Sequence, residues 1–506
     1  MNRMTIQNAW VKNRKLLFCA TACLFLLYFA CAPLNYYLTK SIYEGAFFRM
    51  GIPLLTGAYL AVRGFRDGKE VGILVLYWCW ITVSRILNGD PTLTSSLTRI
   101  LELLLMVLLF VPGVMLPRKE RALLYDVNAI VITVLHFILG CLAVYVAVSG
   151  KVFLNPIDDR LICFLHDQFN PEDRLYMLDL HPNAVAGRYL ISFCLLCVLF
   201  LRHRNLLFRI WAVAAAVLDV VVVALTISRN GQTFLALSLA LATGILLVRR
   251  LRDKKLPVRI AALLAALVIV TPLFYQVYEP IRYGLWALSP AGRAGEQSQQ
   301  VESAEPAEII EASEIAEPAE SGDQTAATGA QSEQVEPTEI TEVMEALYSD
   351  PATGEYEKDS RDYLRSGRTE IYRSALVSIK KEPQRLLIGS SYDTYMDISH
   401  DTIWEPAHNF HNLILEVLNL FGLPGLALVV YFYICLAKRG LRLIFDSENR
   451  FSPAQQLTVL PTLVLTGYYM LEAGIFTDMD FRVAFFFFAC GMMAGSAQIP
   501  EREKTA

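Results

Sequence analysis

Apolar runs of about 18 to 25 residues recur along most of this chain, and a run of that length has one stable use, a helix crossing a bilayer. Inside hydrocarbon every backbone N–H and C=O must be satisfied within the protein, which leaves helices as the building unit. Spans are expected near 16–34, 46–62, 71–87, 97–116, 124–148, 183–201, 206–227, 231–248, 257–277, 411–437, 455–476 and 482–498. The expected fold is therefore an all-α polytopic membrane bundle of about twelve transmembrane helices. With 54% hydrophobic residues among 506 and a mean hydropathy of +0.40, a soluble domain is excluded. Net charge is −4, an average over basic short connections and one acidic insert, so nothing here points to nucleic acid.

The basic residues order the topology. Arg63, Arg66 and Lys69; Arg118, Lys119 and Arg121; Arg202, Arg204 and Arg209; the run from Arg249 to Lys255; and Lys438, Arg439 and Arg442 occupy every second connection. By the positive-inside rule these connections and both termini are expected to be cytoplasmic. Arg3, Lys12, Arg14 and Lys15 precede a first apolar run of spanning length without a small-residue cleavage site, so that run is read as a retained span.

Three regions follow: helices 1–9 over 1–277, an extracytoplasmic loop over 278–410 between the ninth and tenth spans, and helices 10–12 with a cytoplasmic C-terminus over 411–506. Within the loop, about 296–345 is rich in Glu, Ala, Pro, Ser and Gln and is expected to be a disordered acidic insert. About 360–410 is expected to be partly helical, with Ile371, Leu376 and Ile379 on one face of SGRTEIYRSALVSIKKEP. A second external connection, about 149–182, ends in His181, Pro182 and Asn183. Of ten cysteines, most lie in apolar runs, Cys163 is the clear loop thiol, and the Cys194/Cys197 pair reads as packing.

The chemistry is expected where the tenth span opens. His408 and His411 stand at the mouth of HNFHNLILEVLNLFGLPG, where the plain alternative is two interfacial polar residues; Gly422 and Gly425 lie about three turns deeper, where a neighbouring backbone can approach. Arginines also gather on the disfavoured outer side: Arg49, Arg85, Arg99, Arg188, Arg229, Arg368 and Arg482. Burying a guanidinium costs on the order of 3 kcal/mol or more, so each needs an acidic partner such as Glu102, Asp219, Glu416 or Glu472, or an anionic ligand. A pyrophosphate matches the planar fork of Arg. Arg188 follows HPNAVAG, whose Asn183 and Gly187 allow a polar break with N–H groups facing an anion, and Arg229 sits in the turn SRNG.

Taken together, His411–Asn412 with nine residues to Gly422 and two more to Gly425, HPNAVAG before Arg188, SRNG, and SGRTEIYRSAL with Arg368 resemble the O-antigen ligase and polymerase superfamily of bacterial membrane glycosyltransferases. The turn Gly389-Ser390-Ser391 and the acidic insert depart from that pattern. The resemblance implies transfer of a glycan from undecaprenyl pyrophosphate to an acceptor hydroxyl (glycan, lipid or wall polymer) outside the cytoplasm, without metal or other cofactor. It implies His411 as the essential histidine and Arg188, Arg229 and Arg368 as the diphosphate clamp, with His408 and Asn412 as further polar contacts. The chemistry agrees: an alcohol attacking an anomeric carbon needs a base of near-neutral pKa, and a pyrophosphate leaving group needs clustered positive charge. The alternatives are a flippase for lipid-linked glycans, which calls for internal repeats and midplane polar residues, and a non-catalytic assembly scaffold using the insert as a binding tail. Deleting about 296–345 separates the last of these. Glycan transfer in a membrane preparation should survive that deletion; its loss would favour the scaffold.

Overall fold

The computed structural model describes residues 69–88, 106–154, 161–165, 174–177, 181–290, 293, 372, 375–377, 379–380, 382–390, 412–472 and 481–498. All belong to one compact unit made of residues 1–297 and 370–506. The first two expected spans and the acidic insert lie outside the described residues.

The described elements are mostly helical. They run α1 (Lys69–Leu87), α2 (Met106–Met115), α3 (Arg118–Ser149), then three short strands, α4 (Pro182–Arg202), α5 (Leu206–Thr226), α6 (Arg229–Arg250), α7 (Leu256–Tyr275) and α8 (Tyr278–Leu288). After the long connection come α9 (Arg385–Ile388), α10 (Leu413–Ile444), α11 (Pro453–Leu457), α12 (Val459–Glu472) and α13 (Phe481–Ser496). Among the described residues seven helical segments are long and apolar enough to cross a membrane, counting Leu256–Leu288 as one. The chain is a multi-pass membrane protein.

Burial patterns say which faces meet lipid. Leu206, Ile210, Val213 and Val217 are exposed on one stripe of α5 while Ala212, Ala215, Asp219 and Val222 are buried on the other. On α7 the exposed stripe is Leu256, Ile260, Leu264 and Val268. Apolar stripes of this length on outward faces are stable in hydrocarbon and not in water. The ninth span runs further than its expected end at 277, because YEPIRYGLWAL resumes the helix as α8 after a two-residue turn.

The centre of the bundle is α13. Its four consecutive phenylalanines, Phe485 to Phe488, are all buried, so this segment touches protein on every side. It crosses α2 at near backbone contact: a Cβ placed on Gly491 would lie 2.1 Å from the Phe110 carbonyl oxygen, and one on Gly113 would lie 2.0 Å from the Gly491 carbonyl carbon. Small residues at such a crossing let dispersion replace the hydrophobic drive that lipid removes.

The helical bundle carries one addition: the connection after α3 forms an antiparallel sheet in the order β1 (Phe153–Leu154), β2 (Leu161–Leu165) and β3 (Leu175–Met177). Phe164 pairs across from Tyr176 and the rings stack with centroids 5.2 Å apart, the kind of cross-strand pair that holds a small sheet. Cys163 on β2 is accordingly no open loop thiol; it is fully buried, and burial pushes its pKa up to about 12. In the loop helix, Ala375 and Ile379, one turn apart, supply the buried stripe, and Leu376 points outward at 57% exposure. Ile371 lies outside the described residues.

The α2–α13 crossing yields a prediction. Gly491→Ala should destabilise the protein by about 1–3 kcal/mol through overpacking, read as a lower thermal midpoint in detergent, with Gly72→Ala, which meets no atom within 4 Å, as the neutral control.

Candidate functional site

At one end of the bundle α1, α5 and α12 finish and α4, α6, α10 and α13 begin. The first motif, HPNAVAG, starts α4. His181 is the N-cap, its Nδ1 accepting from the Asn183 N–H at 3.3 Å, while its carbonyl accepts from Ala184 and Val185. Pro182 fits the first helical position because it has no N–H to satisfy. The expected polar break with N–H groups turned to an anion is therefore corrected, since the first turn is closed on His181.

The second motif, SRNG, starts α6. Ile227 ends α5 at φ 51°, and Ser228 caps α6 by accepting from the Gly231 N–H at 3.1 Å. The two motifs meet: a Cβ on Gly231 would lie 2.4 Å from the Ala186 methyl. Glu472, the last residue of α12, ties them together through one oxygen. Its Oε1 accepts from Asn230 Nδ2 at 2.5 Å and from Asn183 Nδ2 at 3.3 Å. Tyr468, one turn earlier on α12, donates its hydroxyl to the Asn183 carbonyl at 2.6 Å.

This junction carries the arginines. Arg188, six residues into α4, is buried, and its Cζ lies 5.3 Å from the centre of the Phe481 ring. Arg229, the first residue of α6, is exposed. Arg482 opens α13 against Gly187, where an added Cβ would stand 3.0 Å from its Cδ. His136 of α3 is buried beside them. Its Nδ1 lies 2.8 Å from the Ile132 carbonyl, which assigns the proton to Nδ1, and its ring packs edge-on to Tyr189 at 5.1 Å and over Phe481 at 6.1 Å.

The third motif surrounds the start of α10. Asn412 is the N-cap, its Oδ1 accepting from Ile414 N at 3.0 Å and Leu415 N at 3.1 Å. That oxygen is committed to the helix, which leaves the Nδ2 amide as the group able to reach a ligand. The expected continuous span over 411–437 is broken at Gly422, with φ 67° and ψ −171°. The close backbone approach expected at the glycines is met at Gly422, where a Cβ would lie 2.7 Å from the Leu387 carbonyl oxygen, and not at Gly425, which faces the side chains of Phe421 and Trp80; a Cβ on Gly389, at φ 76°, would lie 2.0 Å from the Leu420 carbonyl oxygen. Loop segment 385–390 thus lies in the notch of α10. It is bonded there from Ser390 N to the Asn419 carbonyl at 2.8 Å, and Ser84 of α1 donates to the Ile388 carbonyl at 2.5 Å. Arg85, the next residue on α1, and Arg385 on the segment are both buried.

Of the expected site residues, Arg188, Arg229 and Asn412 are described; His408, His411 and Arg368 lie outside the described residues. Asn183 and Asn230 approach one another through Glu472, so the HPNAVAG and SRNG motifs form one junction, while Asn412 caps a separate helix at the same end. The organising role of Glu472 was missed in the sequence, where it reads as one of several acids in spans. The only sign was an acid at a span end with two asparagine motifs elsewhere to satisfy. His136 gave no signal, being a lone histidine in an apolar run. Among the described residues no cluster of three or more His, Cys, Asp or Glu stands ready to hold a metal.

The notch makes a sharp demand on Gly422. Gly422→Ala should cost about 1–3 kcal/mol from the left-handed backbone and the clash with Leu387, and it should open segment 385–390 to protease, read by limited proteolysis and thermal midpoint.

The O-antigen ligase family model matches residues 214–430, a stretch that includes Arg229, Arg368, His411 and the Gly422–Gly425 notch and excludes Arg188. A search of the curated proteins finds no match.

Proposed function

We infer that this chain, whose O-antigen ligase domain supports its place in the O-antigen ligase/polymerase superfamily, is a membrane glycosyltransferase that takes a glycan from an undecaprenyl pyrophosphate carrier. The acceptor is a hydroxyl on a glycan, lipid or wall polymer at the outer face of the cytoplasmic membrane. In this reading the end of the bundle bearing the α4–α6 junction faces outward, and the end bearing Arg118, Arg202 and Arg249 faces the cytoplasm with both termini.

The observation that carries the reading is the Glu472 tie. Through it the motif that ends in Arg188 and the motif that contains Arg229 form one rigid junction at the same membrane face as the opening of α10. His411, adjacent to the Asn412 cap, is assigned as the general base. It takes the proton of the acceptor hydroxyl as that oxygen bonds to the anomeric carbon. The bond from the anomeric carbon to the pyrophosphate oxygen breaks in the same displacement, and the electron pair leaves on the lipid pyrophosphate. Arg188, Arg229 and Arg368 hold that anion, which needs positive charge more than a proton. His408 and the Asn412 amide contact the sugars. No step in this displacement calls for a metal.

Arg188 is suited to its part because its charge is held on an aromatic face in a buried setting, where an ion interacts more strongly than in water. Lysine at this position keeps the charge and loses the planar fork.

Two substitutions test the assignment with lipid-linked oligosaccharide and purified membranes. His411→Ala should abolish transfer while the protein stays in the membrane at normal level; near-normal turnover would refute the assignment. Arg188→Lys should lower kcat/KM by roughly 10- to 100-fold, the scale of one charge-assisted bidentate contact.

A further inference from the structure

A cavity of about 190 Å³ opens at the opposite end of the bundle, between the start of α3, the end of α4, the start of α11 and the end of α13. Arg118, Arg121 and Arg202 line it together with Ser452, Gln455 and Thr458, and no lining residue is acidic. The charge is only partly answered from within. Arg202 is paired with Asp126 and also donates to the Ala122 carbonyl at 3.3 Å. Arg118 donates to the amide oxygen of Gln455 at 2.8 Å, a neutral partner. Arg121 is 7% exposed and gives its Nη1 to the carbonyls of Gly113 at 3.0 Å and Leu116 at 3.5 Å. It has no carboxylate partner among the described residues.

A buried guanidinium without a counter-anion is costly, and carbonyl dipoles at the end of α2 offset that cost only in part. Here the missing counter-charge coincides with space to accommodate it. Guanidinium N–H groups, a serine hydroxyl and a carboxamide are the donor set that suits a tetrahedral oxyanion, and three arginines line the cavity with no carboxylate among its lining residues.

We propose that this cavity binds a phosphate ester, with Arg118 and Arg121 as its principal cationic contacts. The site is separate from the glycan-transfer site by its place at the other end of the same helices, so its test does not use transfer. Two sources share the chemistry, the headgroup of an anionic phospholipid and a soluble phosphate ester of the cytoplasm.

The experiment uses the full-length protein in nanodiscs. In discs of phosphatidylcholine alone, glycerol 3-phosphate and inorganic phosphate are titrated and the thermal midpoint is followed. In discs containing phosphatidylglycerol, native mass spectrometry counts lipid retained after delipidation. Saturable stabilisation by glycerol 3-phosphate identifies a soluble ligand, and selective retention of phosphatidylglycerol identifies a lipid. In either case Arg118→Gln, an exposed position that leaves the α2 cap intact, should weaken binding about tenfold or more. Ser496→Leu should do the same by filling the cavity from α13 with every arginine in place. Arg252→Gln, on a connection at the same end and outside the cavity, should change nothing. The proposal is overturned if neither probe binds saturably, or if binding is unaltered by both Arg118→Gln and Ser496→Leu.

Discussion

A helix broken inside a membrane protein must find new partners for the backbone groups the break releases, and the break at Gly422 shows where they come from. The Phe421 carbonyl receives the indole N–H of Trp80 on α1 at 2.7 Å, and the Asn419 carbonyl receives the N–H of Ser390 at 2.8 Å. The loop segment has its own debt at its turn, and Ser84 of α1 meets it at the Ile388 carbonyl. Three pieces of chain distant in sequence thus complete one another, which is the condition for irregular backbone at membrane depth. Neither the notch nor the loop segment has its hydrogen bonds satisfied alone. The glycines at 389 and 422 are needed because the two backbones approach closer than any Cβ permits.

That interlock has a consequence for the end of the bundle where the histidine motif begins. The stretch from Asn412 to Gly422 is a short helix fixed at both ends, by the Asn412 cap and by the notch. Glu416 and Val417, within it, are buried, and Tyr77 of α1 packs edge-on to Phe421 at 5.8 Å. The arginine motifs are fixed independently, by Glu472 and Tyr468 of α12. Two separately anchored segments from different parts of the chain therefore stand at the same end of the bundle, where the proposed function places donor and acceptor.

Much of this was legible in the residues, for reasons that differ by element. Span positions were readable because hydropathy in a bilayer is nearly a one-dimensional signal, and α4, α5 and α6 begin and end within two residues of the expected limits. The approach at Gly422 was readable because glycine deep in an apolar helix has few other uses. What the sequence did not carry was pairing. LICFL and LYM are too short to declare a sheet without each other, so β2 and β3 were seen only as a connection, and Cys163 as a loop thiol. The stripe of the loop helix was misplaced onto Leu376 because size outweighed phase; Ala375, one turn before Ile379, takes the buried place.

The two ends of the bundle handle charge in different ways, and the difference bears on function. At the basic end three cations meet carboxylates, Arg439 with Glu70 at 2.9 Å, Arg202 with Asp126, and Arg450 with Asp446 at 3.1 Å, while Arg118 and Arg121 meet a carboxamide and backbone carbonyls. At the other end Glu472 commits one oxygen to two asparagine amides, and Arg188 rests on the Phe481 ring. A carboxylate oxygen shared by two asparagine amides fixes the backbone that carries them, and an arginine held on an aromatic face keeps its N–H fork aligned at little cost in entropy. On the proposed function, the arginine seated on the Phe481 ring is the group that meets the anionic carrier, whose own negative charge would offset part of the cost of burying a guanidinium.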